Sequence, residues 1–180
     1  KFSSARKTAA LTVSLGLLLT ATACNRGDDA AADGGTVTLA VSTLNNPFFV
    51  TLVEGAQKTA DSLGVKMTVA DAGDDAAKQT SDIEDLVASG ISVLIVNPVD
   101  SDAVTGAVEF AKSKGVKVIA VDRAVNGVDI ECQIASDNVL GAELATQYIV
   151  DTLGEGAEVA ELEGVTGASA AIDRSAGFHN

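Results

Sequence analysis

From Thr36 onward, short apolar runs rich in β-branched residues alternate with amphipathic stretches at intervals of about 25–30 residues. That alternation limits the fold more than any other feature of the chain. Val37 to Val41 reads as a strand. Asn46 fits an N-cap and Pro47 the first helical position. The helix then runs to Leu63, with Val50, Val53, Ala56, Ala60 and Leu63 on one stripe. Glu54 and Lys58 are set to pair, and Gly64 ends the helix. Val65 to Ala70 is a second strand. Ala76 to Ser89 is a second helix with Ile83, Leu86 and Val87 inward and Gly90 as its stop. Ile91 to Val96 is almost wholly apolar, as expected of a parallel strand buried on both faces. A helix from Ala103 to Ser113, ending near Gly115, leads to a fourth strand, Val116 to Val121. Four strands alternating with three helices predict an α/β, doubly wound parallel sheet.

A break follows. Val128 to Ala135 reads as a short strand. Ser136-Asp137-Asn138 then caps a helix from Val139 to Leu153. Glu158 to Leu162 reads as another strand, and a helix starts at Ala168. This second layer has too few strands to bury a sheet, which predicts a lobe left incomplete at residue 180.

The first residues read as a targeting segment. Lys1 to Lys7 is basic, and Ala9 to Ala23 is apolar around Leu17-Leu18-Leu19. That run is shorter than the ~20 residues of a membrane-spanning helix. Leu19-Thr20-Ala21-Thr22-Ala23-Cys24 resembles a bacterial lipobox, departing from it at Ala21, where Leu is commoner. The resemblance implies a lipoprotein signal peptide over residues 1–23 and lipidation of Cys24. Residues 24–35, rich in Asp, Ala and Gly, read as a flexible tether reaching roughly 17–20 Å. The second cysteine, Cys132, lies in an alternating stretch and is expected to be a small buried hydrophobe.

The formal charge of −13 disfavours nucleic acid as a partner. One histidine, two cysteines and no HExxH, P-loop or dinucleotide fingerprint leave no metal site, no cofactor and no catalytic constellation. The residues after each strand remain. In an open parallel sheet, ligands bind outside the carboxyl ends of the strands. Four junctions lie there: Ser42 to Phe49, Asn97 to Asp100, Asp122-Arg123, and Gly164 to Arg174. Aromatic rings suit the C–H face of a sugar. A carboxylate and a guanidinium suit its hydroxyls. Gly164-Val165-Thr166-Gly167 reads as turn chemistry, and His179 is given no role.

These junctions resemble the type I periplasmic sugar-binding family of ABC importers, and its ribose-binding members above all. The matching segments are Val41 to Val50, Asn97 to Val104, Asp122-Arg123, Ile134 to Gly141, Glu161 to Gly164 and Ser169-Ala170-Ala171 with Arg174. The resemblance covers about Thr36 to Phe178 and departs at Ile172-Asp173. It implies two doubly wound lobes of the periplasmic-binding-protein type I fold, joined by a hinge and closing on the ligand. The first lobe would span residues 36–135, and residues 136–180 would begin the second, incomplete one.

Residue by residue, Asn46 would hydrogen-bond the sugar, Phe48 and Phe49 would flank its ring, and Asp122, Arg123 and Arg174 would hold its hydroxyls. Ser136 and Asp137 would sit at the hinge. The implied function is extracytoplasmic binding of D-ribose or a close pentose, without enzymatic activity. The protein would be a monomer that meets the membrane through its lipid anchor only. Its implied partners are an ABC permease with its ATPase, and a chemoreceptor. A sugar or autoinducer sensor of the same fold is the alternative.

Overall fold

The structure, a computed structural model, describes residues 35–180. The expected signal peptide, Cys24 and nearly all of the expected tether lie outside the described residues. The elements run β1 (Val37–Val41), α1 (Pro47–Leu63), β2 (Met67–Asp71), α2 (Ala76–Ala88), β3 (Val93–Val96), α3 (Thr105–Ser113), β4 (Lys117–Val121), β5 (Cys132–Ile134), α4 (Asn138–Leu153) and α5 (Ser169–His179). The five strands form one parallel sheet in the order β2-β1-β3-β4-β5. The order reverses between β1 and β3, so the crevice that binds ligands in such sheets opens there. Among the described residues no helix is long and apolar enough to cross a membrane.

Local chemistry accounts for the helix starts and stops. Asn46 accepts the amide of Phe48, Asp75 that of Lys78 and Asp137 that of Leu140, each capping a helix N-terminus. Gly64 takes a left-handed conformation (φ 66°) at the end of α1, which no β-carbon opposes. Right-handed crossovers carry α2 and α3 together over one face of the sheet. The main core lies there. Ile83 and Val87 of α2 and Val108 and Ala111 of α3 close over Ala40, Leu94, Val96, Val118 and Ala120.

Six details differ from the sequence reading. The run from Val128 to Ala135 shrinks to Cys132–Ile134 and joins the first sheet as its fifth, edge strand. All three of its residues are exposed, so Cys132 is an exposed free cysteine and not a buried one. Strand β3 is not buried on both faces. Leu94 and Val96 are fully buried, but Val93 and Ile95 are only partly buried, on the face away from α2 and α3. In α1 the inward stripe is Phe49, Val53, Ala56 and Ala60, while Leu63 is 70% exposed. Among the described residues Gln57 bonds Asp61 there, and Glu54 and Lys58 form no ion pair. Lastly, Glu158 to Leu162 is not a strand. A strand needs a neighbour for its backbone groups, and none lies beside this segment among the described residues.

Candidate functional site

The segments that follow β1 and β4 meet the loop before α5 around one cleft. It has a volume of about 300 Å³ and is lined by Asn46, Phe48, Phe49, Asp122, Arg123 and Arg174, with the backbone and small side chains of Gly164 to Ala171 closing one side. Every residue that the sequence marked as a ligand contact is thus placed on a single surface.

Phe48 and Phe49 open α1 but have separate environments. Successive helical residues point about 100° apart. Phe49 is 3% exposed and packs into the interior, whereas Phe48 is 56% exposed and stands at the cleft mouth. Their rings meet edge to face with centroids 5.3 Å apart. Asn46 spends its Oδ1 on the amide of Phe48 at 2.9 Å, which leaves its Nδ2 to donate into the cleft.

Arg123 is buried, and its place is fixed by backbone. Nη1 donates to the carbonyls of Pro98 (2.9 Å) and Val99 (3.4 Å), and the guanidinium lies over the ring of Phe49. Burial lowers its pKa from the ordinary arginine value, and the carboxylates of Asp122 and Asp74 oppose that shift. The guanidinium remains charged throughout the accessible range. Arg174 approaches from α5 closely enough to act in the same direction as burial. It is exposed, with no hydrogen bond to the described residues.

Asp122 takes a left-handed backbone conformation (φ 66°), which costs a non-glycine residue about 1 kcal/mol. The conformation lets its amide donate to the carbonyl of Ile134 at 2.7 Å, while its carboxylate turns toward the cleft. Oδ2 accepts from Asn97 at 3.2 Å and lies 3.8 Å from Arg123 Nε. Oδ1 has no bond from the described residues, so an acceptor faces the cleft beside two cationic donor groups. This set can receive and donate hydrogen bonds to adjacent hydroxyls while an aromatic ring covers an apolar face.

Close approach explains the loop before α5. A β-carbon on Gly167 would lie 2.0 Å from the carboxylate of Asp100, and one on Gly164 would lie 2.8 Å from Ala171. Ser169 donates its amide to Ser101 Oγ (3.2 Å) and receives the amide of Ala124 on its own hydroxyl (2.7 Å). The start of α5 is therefore tied to the ends of β3 and β4. Ser136 and Asp137 stand exposed ahead of α4. The carboxylate of Asp137 caps that helix, and Ser136 offers its carbonyl to Asn138 at 3.2 Å.

A larger cavity of about 410 Å³ lies on the other side of α5, against Ile172, Ser175 and His179. It has no guanidinium, and His179 instead sits 3.6 Å from Glu161. A third cavity of about 470 Å³, between α4 and α5, is lined by Asp137, Glu161 and Arg174 but by neither Asp122 nor Arg123, whereas the first cleft combines a carboxylate and two guanidinium groups with Phe48 and Phe49.

Residue-type reasoning missed the polar scaffold below the cleft. Gln79, 2% exposed within α2, donates to the carbonyl of Asn97 (2.9 Å) and accepts the amide of Val99 (2.8 Å). It thereby clamps the turn after β3. Its signal was its position four residues before Ile83, a polar residue on the inward stripe. Ser42, fully buried, bonds Asn97 Oδ1 through both its amide and its hydroxyl.

A family model described as a periplasmic binding protein domain matches residues 37–180. The chain is 52% identical over 145 residues to the ribose import binding protein of Bacillus subtilis, covering 81% of this chain and 48% of that protein. It is 48% identical over 143 residues to the ribose import binding protein of Escherichia coli, covering 79% and 48%. Among solved structures, a Caulobacter myo-inositol binding protein bound to myo-inositol superimposes with a TM-score of 0.77 at 35% identity, over 81% of this chain and 50% of that one. The chain spans about half the length of the curated relatives it matches.

Proposed function

The chain belongs to the periplasmic binding protein domain family, and we propose that it is the extracytoplasmic substrate-binding component of an ABC sugar importer, with D-ribose or a close pentose as its ligand. One observation carries the reading. Phe48, Phe49, Asn46, Asp122, Arg123 and Arg174 come from three separate stretches of sequence and line one cleft whose size lies at the small-molecule end of ligand sites. The half-identical relatives are ribose import binding proteins, which favours ribose among neutral sugars.

In this reading Phe48 covers the apolar face of the sugar ring. Asp122 accepts from its hydroxyls, and Asn46, Arg123 and Arg174 donate to its oxygens. Residues 36–135 are the first lobe. Residues 136–180 belong to the second, and the chain crosses between them at Ser136 and Asp137. The packing of α4 against α5 supports that division. Closure on the sugar would present both lobes to a permease whose ATPase supplies the energy of transport, and the protein carries out no reaction itself. Lipidation at Cys24 would hold it at the membrane.

Calorimetric titration of the full-length mature protein with D-ribose, using D-xylose, L-arabinose and D-galactose as comparators, tests the reading. Tight binding of ribose alone supports it. Preference for another of these sugars moves the specificity and keeps the mechanism. No heat with any of them overturns sugar binding at this cleft.

A further inference from the structure

Asn97 follows β3 directly below the cleft, is fully buried and does not line the cleft. Its amide group is used to capacity. Oδ1 accepts from the amide (3.2 Å) and hydroxyl (2.7 Å) of Ser42, and Nδ2 donates to the carbonyl of Val121 (3.1 Å) and to Asp122 Oδ2 (3.2 Å). Its own backbone amide donates to Ala40, and its carbonyl accepts from Gln79. One side chain therefore ties together the ends of the three central strands, at the point where the chain opens into the cleft.

We propose that Asn97 is a positioning residue for the ligand site, holding the Asp122 carboxylate and its left-handed backbone in the arrangement that receives the sugar; this rests on the reading of the cleft as a sugar site. Two features of Asp122 call for such a residue. A left-handed backbone at a non-glycine residue costs about 1 kcal/mol and is held here by bonds on both sides of it. The bond from Asn97 to Val121 O fixes the peptide entering Asp122, and the bond to Oδ2 fixes the side chain leaving it. The second feature is the oxygen that remains. With Oδ2 engaged by Asn97, Oδ1 is the oxygen presented to ligand. Asn97 thus selects which carboxylate oxygen reads a hydroxyl, without touching the sugar.

Asn97→Asp separates this role from simple support, because a carboxylate still accepts from Ser42 but cannot donate to Val121 or Asp122. Asn97→Ala removes the donor without adding charge and serves where the aspartate variant does not fold. The measurements are the Kd for D-ribose of each variant, alone and combined with Asp122→Ala, together with the 13Cα chemical shift of residue 122 in the sugar-free protein. The expected result is an affinity loss of about tenfold or more in the single variant, as for a lost hydrogen bond to a charged group. In the Asp122→Ala background the same change should add less than about twofold, since groups acting through one another are not additive. The 122 shift should leave its left-handed value.

Wild-type affinity in the single variant, or full additivity with Asp122→Ala, overturns the proposal. Should the unaltered protein bind no ribose, the sugar reading fails by itself. The chemical shift then decides whether Asn97 sets the geometry of Asp122, and an unchanged shift overturns that as well.

Discussion

The guanidinium of Arg123 lies over the ring of Phe49, its central carbon 5.4 Å from the ring centroid. Two residues distant in sequence thereby form one buried unit: the first turn of α1 supplies the platform, and the end of β4 supplies the cation. Phe48, the immediate neighbour, meets the Phe49 ring only edge-on and remains mostly in solvent.

This difference makes the two phenylalanines separable. Phe49→Ala removes a buried ring and the surface beneath Arg123, and it should lower stability by about 3–5 kcal/mol. Phe48→Ala loses only the edge contact with Phe49, so it should change stability by no more than about 1.5 kcal/mol and weaken ribose binding several-fold. Denaturant titration read beside calorimetry checks both. Equal destabilisation by the two substitutions would contradict the assigned environments.

Arg123→Lys tests whether charge alone suffices. A lysine ammonium cannot span the Pro98 and Val99 carbonyls, stack on Phe49 and face a ligand at once. Ribose affinity should drop by about tenfold or more. Arg174→Lys should have a smaller effect, because that side chain is exposed and makes no hydrogen bond to the described residues. A larger loss at position 174 than at 123 would reverse the ranking of the two cations.

Gln79→Leu should destabilise the protein by about 2–3 kcal/mol although it adds apolar surface to the interior. It leaves the carbonyl of Asn97 and the amide of Val99 buried without partners. Thermal or chemical unfolding of this variant below the wild-type midpoint is the expected outcome. A stabilised Gln79→Leu would mean that the turn finds other partners.

The same contrast marks the limit of what the sequence discloses. Pro47 after Asn46, and Gly64 after Leu63, fix α1 at both ends because the relevant physics is local. The cleft residues were legible because they follow apolar runs at strand ends, where topology gathers them. Gln79 was not, and Ser42, although it opens the first junction, gave no sign of its bonds to Asn97, because the value of both lies in partners that only the folded chain brings near. Glu158 to Leu162 failed for a related reason: its alternation fits a strand, but alternation supplies no neighbour to pair with. Cys132 was misplaced because an apolar residue in a strand is buried only if something covers that strand, and β5 is an edge with all three residues exposed.

Glu131 gives the edge of the sheet a dependence on pH. Its amide donates to the carbonyl of Val118, and its carboxylate accepts the amide of Val118 at 2.6 Å, so a side chain substitutes for backbone pairing where β5 has not yet begun. That hydrogen bond holds the Glu131 pKa below its usual value of 4.5, with Lys112 and Lys117 contributing in the same direction. A carboxyl whose pKa is lower when folded stabilises the protein above its unfolded pKa. The stabilisation fades as pH falls through the folded value. The group is exposed, so solvent screens the effect and keeps it small. Stability measured from neutral pH down to pH 3 should therefore fall more steeply below pH 4.5 in the wild type than in Glu131→Gln. The difference between the two proteins should be constant above that pH and should shrink below it. Parallel acid limbs would show that Val118 keeps its partner whether or not the glutamate is charged.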